Sequence, residues 1–167
     1  ICGGKLPDVD IVGLLELKLK YHHKGDIKVI YSMSDTKHYI PMPEIPGEKD
    51  FNPYYMMLKM DINKPLYICN HILCIVNYQQ DGMTSRVLQS YEECPVSYAM
   101  LREAYLEHQE IPCMFAYRQC IHYVSSWIFA KRQKKKVNSL WRRKLVWMAV
   151  IPGVILNMWV CWKNRRH

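Results

Sequence analysis

The stretch Leu145-Val-Trp-Met-Ala-Val-Ile-Pro-Gly-Val-Ile-Leu-Asn-Met-Trp-Val-Cys-Trp162 runs 18 residues without a charged side chain. Drawn as one helix it is about 27 Å long. The hydrocarbon core of a bilayer is about 30 Å thick, a gap that snorkelling side chains can close. Cations mark both ends, with Arg142, Arg143 and Lys144 before and Lys163, Arg165 and Arg166 after. Trp141, Trp147, Trp159 and Trp162 sit toward the ends, where indoles favour the headgroup zone. In lipid every backbone N–H and C=O needs an internal partner, and a lone segment finds one only as a helix. The reading is therefore one C-terminal transmembrane helix over 145–162, anchored and packed through Trp147, Pro152, Gly153, Asn157, Trp159 and Trp162. Pro152 removes a donor and predicts a kink. Asn157 needs a polar partner in an apolar setting. Together with Gly153 they predict packing against neighbouring membrane helices. The competing reading is a core helix of a globular body. The paired cation clusters and the apolar residues on every side speak against it.

Outward from that stretch, charge divides the chain. Net charge is +8 over 167 residues, yet residues 131–167 hold 11 Lys and Arg and no Asp or Glu. That leaves 12 basic and 15 acidic residues in 1–130, a mildly acidic body on a basic tail. The linker 131–144 is expected to lie on anionic lipid through Lys134, Lys135, Lys136, Arg142, Arg143 and Lys144. Each such cation contributes about 1 kcal/mol near an anionic surface. The alternative is a topology signal in a solvated linker. The cation excess upstream places the body of 1–130 on a cytoplasmic or matrix side. Residues 163–167 form a short basic tail. RNA contact is disfavoured, since no RNP aromatic motif, KH loop or helix-turn-helix accompanies the basic run. Ile1 in place of Met fits a presequence already removed, or a start that lies further upstream.

In the body, Ile11, Val12, Leu14, Leu15, Leu17 and Leu19 mix periods of two and 3.6, with a helix slightly favoured. Ile27–Tyr31 reads as a short strand, with His38-Tyr-Ile40 returning as a hairpin. Pro41, Pro43, Pro46 and Pro53 predict an extended arm over 41–53. Such an arm either staples a neighbouring subunit or is an ordinary long loop. Residues 66–77 are the most apolar part of the body and predict a buried strand or helix, too short to span a bilayer. From Cys94-Pro95 the pattern turns helical, with Pro95 suited to a first turn. Pro112 ends that helix, and a second runs through Met114, Tyr117, Ile121, Val124, Trp127 and Ile128. The fold expected is mainly α with a minor β component, a helical hairpin over 94–130 leading into the transmembrane helix.

Seven cysteines cannot all pair within the chain. The pairs Cys69-x-His71 and Cys120-x-His122 supply four residues of the types that bind zinc. Neither half has the CxxC or HxxxH spacing of a zinc site, and reduced core cysteines fit better. No P-loop, GxGxxG, HExxH, GxSxG or EF-hand string occurs. The reading is thus non-catalytic, with no catalytic residue and no cofactor. Twelve Tyr and ten Met suit broad contact surfaces. The function expected is a single-pass accessory subunit of a multi-subunit membrane complex, with other membrane-protein subunits and anionic lipids as partners. A respiratory-chain or ATP-synthase complex of the mitochondrial inner membrane is the expected host. The alternatives are a tail-anchored adaptor or receptor acting alone, and an RNA-contacting organellar ribosomal subunit.

Overall fold

Residues 5–23, 27–72, 75, 86–108, 111–140 and 143–166 are described by a computed structural model of the chain. It is mainly helical, with one two-stranded sheet. The chain is shared between two units whose segments alternate. The first takes Ile1–Met42 and Met56–Tyr78, the second Pro43–Tyr55 and Gln79–His167.

In the first unit β1 (Ile11–Val12) pairs antiparallel with β2 (Leu66–Tyr67), Ile11 opposite Tyr67 and Val12 opposite Leu66. The helix α1 (Leu14–Leu19) follows Gly13, which has no side chain to cap it. Asp61 supplies the cap from α3 (Tyr54–Asp61), accepting bonds from Leu14 N at 2.6 Å and Leu15 N at 3.3 Å. A carboxylate there meets two orphan donors and the positive end of the helix dipole. Leu14, Leu15, Leu17, Leu58 and Met60 are buried. The single turn α2 (Met33–Thr36) is closed by the Thr36 hydroxyl donating to Ser32 O at 2.7 Å.

Two strand expectations are corrected here. Residues 27–31 and 38–40 do not pair, and the sheet is built from 11–12 and 66–67 instead. Nor do the described residues of 66–77 form a buried element. Tyr67 is 81% exposed, Ile72 73% and Ile75 94%, and residues 73, 74, 76 and 77 lie outside the described set. Asn70 explains part of this, since its side chain bonds the backbone of Leu6 in both directions, fixing an irregular segment rather than a ladder.

The second unit is built on α6 (Cys113–Arg132), against which α5 (Pro95–Glu107), α7 (Lys144–Met148) and α8 (Val150–Asn164) pack. Pro95 stands in the first turn of α5, where its missing N–H costs nothing. Ala99, Leu106, Ala116, Cys120, Tyr123, Val124, Val146 and Ala149 form one core cluster. Tyr91 from α4 (Val87–Glu93), Phe129 and Val160 form another. The Tyr123 hydroxyl donates to Asn138 O at 2.5 Å and accepts from Leu140 N at 3.2 Å, tying the linker to α6.

The transmembrane reading of 145–162 is corrected as well. Among the described residues no helix is long and apolar enough to cross a membrane. Ala149, at φ −84° and ψ −2°, divides the stretch into α7 and α8. Gly153 lies so close to α6 that a Cβ on it would stand 2.6 Å from Val124 Cβ and 3.0 Å from Ile121 O. Asn157, 1% exposed, donates from Nδ2 to Ser125 O at 3.2 Å. Gly153 and Asn157, expected to pack against neighbouring membrane helices, seat the helix on α6 of the same chain.

The proline-rich arm binds its own chain. The Glu48 side chain, 1% exposed, accepts from Val96 N at 2.9 Å, Ser97 N at 2.8 Å and Ser97 Oγ at 2.6 Å. Lys135 Nζ pairs with it at 3.1 Å. Asp50 accepts from Ser90 Oγ at 2.9 Å, and the Tyr54 ring lies 5.9 Å from that of Tyr105. Glu48 is therefore the N-terminal cap of α5, delivered from a distant loop because Cys94 makes no side-chain cap bond.

Candidate functional site

The helix α8 has two unlike sides. Its inner side, Gly153, Asn157 and Val160, is buried, continuing the line of Val146 and Ala149. Its outer side carries a row, Ile151, Ile155, Met158 and Trp162, at spacings of three and four, and exposed Met148 of α7 precedes them across Ala149. Ile151 is 74% exposed and Ile155 61%. Trp147, Val154 and Trp159 widen the row on both flanks, and all are exposed. A surface helix ordinarily turns charged and polar residues outward. Here the outward side is as apolar as the inward one. An apolar patch of this extent on a folded chain marks a contact surface.

Cations bracket the row. Lys144, four residues before Met148 in α7, and Arg166, just past the end of α8, are both exposed. The Arg166 guanidinium stacks over the Trp162 ring, 4.0 Å from its centroid. Lys163 and Arg165 flank the same end. Arg132 donates to Cys161 Sγ at 3.2 Å beside it.

The six expected lipid-contact residues are not equivalent. Lys134 and Lys136 are exposed, as is Lys144. Lys135 is taken up by Glu48 and serves the fold. Arg143 donates to Leu106 O at 2.9 Å, closing the C-terminal end of α5. Arg142 lies outside the described residues. Of the expected anchors, Trp147, Trp159 and Trp162 face outward, Gly153 and Asn157 face α6, and Pro152 is half-buried.

The zinc candidates separate in environment. Cys69 and His71 are exposed, whereas Cys120 is buried in the core cluster of the second unit. His122 sits two residues on, where its Nδ1 meets the Tyr91 hydroxyl at 3.1 Å. That hydroxyl also donates to His122 O at 2.8 Å. Burial, and then the charges of Arg102 and Arg118, lower the His122 pKa to about 4. Burial raises the Cys120 thiol and the Tyr91 phenol. Among the described residues no group of three or more His, Cys, Asp or Glu is placed to hold a metal ion. Tyr91, buried, and His122, half-buried, thus form a hydrogen-bonded pair in which burial and the nearby Arg102 and Arg118 charges disfavour the imidazolium.

Sequence reasoning missed a groove in the first unit of about 640 Å³, lined by Val12, Leu17, Tyr31, Met60 and Leu66, with the Asp35–Lys64 ion pair among its residues. Burial, with the Asp61 charge second, pushes the Tyr31 phenol up to about 12. It also missed the two-sidedness of α8. The signal was present: Ala149, Gly153 and Asn157 recur every four residues and let two backbones approach.

No protein-family model, no curated protein and no solved structure matches this chain.

Proposed function

We propose that the chain is a non-catalytic accessory subunit that attaches to a membrane-bound multi-subunit assembly through the outward side of α7 and α8. The observation that carries this reading is the exposed row Met148, Ile151, Ile155, Met158 and Trp162, bracketed by Lys144 and Arg166. Burying such a row on association supplies about 25 cal/mol per Å² of apolar surface. The second unit supplies the rigid support that the row needs, with α8 fixed on α6 by Gly153 and Asn157. The absence of P-loop, HExxH and GxSxG strings supports a structural rather than a chemical role. A mitochondrial inner-membrane host is part of the proposal and rests on the basic flanks alone.

The test is mild detergent extraction of tagged full-length chain, followed by size separation under native conditions. Wild type should migrate in a large assembly, and Ile155→Asp should migrate as free chain with unchanged melting. Free migration of wild type refutes the subunit reading and leaves the adaptor acting alone. Unchanged assembly of Ile155→Asp places the attachment elsewhere.

A further inference from the structure

We propose that α8 lies flat in the headgroup zone of an anionic bilayer, with its outward row among the upper acyl chains and Lys144, Lys163, Arg165 and Arg166 on lipid phosphates. This rests on the reading that α8 is the attachment element, and names lipid as what it touches first.

Three observations lead there. First, α8 cannot enter lipid on all sides. Gly153 touches Val124, and Asn157 is bonded to the Ser125 backbone, so the inner side belongs to α6. At 15 residues α8 is about 22 Å long, short of the hydrocarbon thickness. Second, the division into faces is that of an interfacial helix: an apolar side with Trp, Ile and Met, and cations at the ends and edges. Three exposed indoles, Trp147, Trp159 and Trp162, fall toward the two ends of the row, where the water boundary would lie. Third, the charge is complementary to lipid phosphate. Residues 131–167 hold 11 Lys and Arg and no carboxylate. At the end of α8 Glu92 accepts from Asn164 Nδ2 at 2.7 Å, with Glu93 beside the same cleft. Asn164 is nine residues past Ile155, half a turn away from the row, so the Glu92 carboxylate does not share the docking face. A protein groove could accept the apolar row, but 11 Lys and Arg with no carboxylate over residues 131–167 favour a phosphate surface.

Purified full-length chain is mixed with vesicles of phosphatidylcholine alone, or of phosphatidylcholine with phosphatidylglycerol, and bound chain is separated by flotation. Binding should be at least about tenfold tighter to the anionic vesicles at low salt and should weaken steeply toward 1 M salt, where the screening length falls to about 3 Å. Ile155→Asp should abolish flotation, and Lys144→Gln with Arg166→Gln should remove the anionic preference while keeping the melting temperature. Brominated acyl chains should quench the tryptophan emission of wild type. Alkaline carbonate should release the chain, as it would not release a spanning helix. Equal binding to both vesicle types, no quenching, or retention in carbonate each overturns the proposal. No vesicle binding together with wild-type migration in a large assembly overturns the lipid contact alone, and assigns the row to a protein partner.

Discussion

Replacing Glu48 by Ala removes one carboxylate and strands four donors. Three belong to the start of α5: Val96 N, Ser97 N and Ser97 Oγ, at 2.9, 2.8 and 2.6 Å. The fourth is the Lys135 ammonium at 3.1 Å, whose side chain is 20% exposed. Losing a helix cap costs about 1 kcal/mol. Removing one partner of a buried ion pair costs about 3–5 kcal/mol, because the other charge stays behind. Lys135 can partly rehydrate, which brings the total for Glu48→Ala to about 3–4 kcal/mol. Lys135→Met leaves the carboxylate with its three helix donors and the positive dipole end, and should cost only about 1–2 kcal/mol. All five tryptophans lie beyond residue 126, within the second unit, so tryptophan emission during urea unfolding follows that unit separately. The expected order is Glu48→Ala well below Lys135→Met, with Lys135→Met slightly below wild type. A Glu48→Ala loss under about 1 kcal/mol would refute the capping role. Equal losses for the two variants would show that the ion pair, and not the helix end, carries the energy.

Three further predictions concern α6 and what packs on it. His122 is held neutral, with its pKa lowered to about 4 from an ordinary 6.5. The unfolded chain therefore binds the extra proton in that window, and stability should be full above about pH 6.5 and fall as pH drops toward 4, by on the order of 3 kcal/mol. His122→Gln should flatten that slope, and an NMR titration midpoint near 6.5 would contradict the account. Gly153→Ala pits helix propensity, about 1 kcal/mol in favour, against a Cβ 2.6 Å from Val124. Overpacking should win by about 1–3 kcal/mol, and a stabilised variant in urea would show that α8 stands off α6. Asn157 buries an Oδ1 with no partner, so Asn157→Leu should stay within about 1 kcal/mol of wild type or gain. Asn157→Asp should lose several kcal/mol in the same assay, since it buries a charge there.

Where proline punctuates the chain, the sequence was readable. Pro95 begins α5 as expected, whereas Pro112, expected to end that helix, sits immediately before α6, five residues past the last residue of α5. The apolar composition of 145–162 was equally plain, but composition alone does not say what covers each side. Lipid and a neighbouring helix are both apolar, so Val146 and Ile151 read alike although one is buried and the other bare. The short strands failed for a related reason. Ile27–Tyr31 has strand-like residues, yet pairing depends on a distant partner, and β1 found Leu66–Tyr67. Glu48 was invisible as a cap because a side chain arriving from nearly fifty residues away leaves no local pattern. The fold contacts of Lys135 and Arg143 were hidden in the same way, since their partners Glu48 and Leu106 lie far off in the chain.

The alternation of segments between the two units constrains how the protein can be made. Pro43–Tyr55 emerges from the ribosome before the helices that it completes, and α5 stays without its anionic cap until its own first turn has been synthesised. A cut after residue 78 leaves both segments of the first unit together, and a cut after residue 42 leaves both segments of the second, but neither cut leaves both units whole. A fragment beginning at residue 79 would lack Glu48, and one ending at 130 would lack Lys135 and leave α6 bare where α8 belongs. Fragments 1–78 and 43–167 each keep the segments of one unit, whereas cuts at 79 or 130 would report on a damaged second unit.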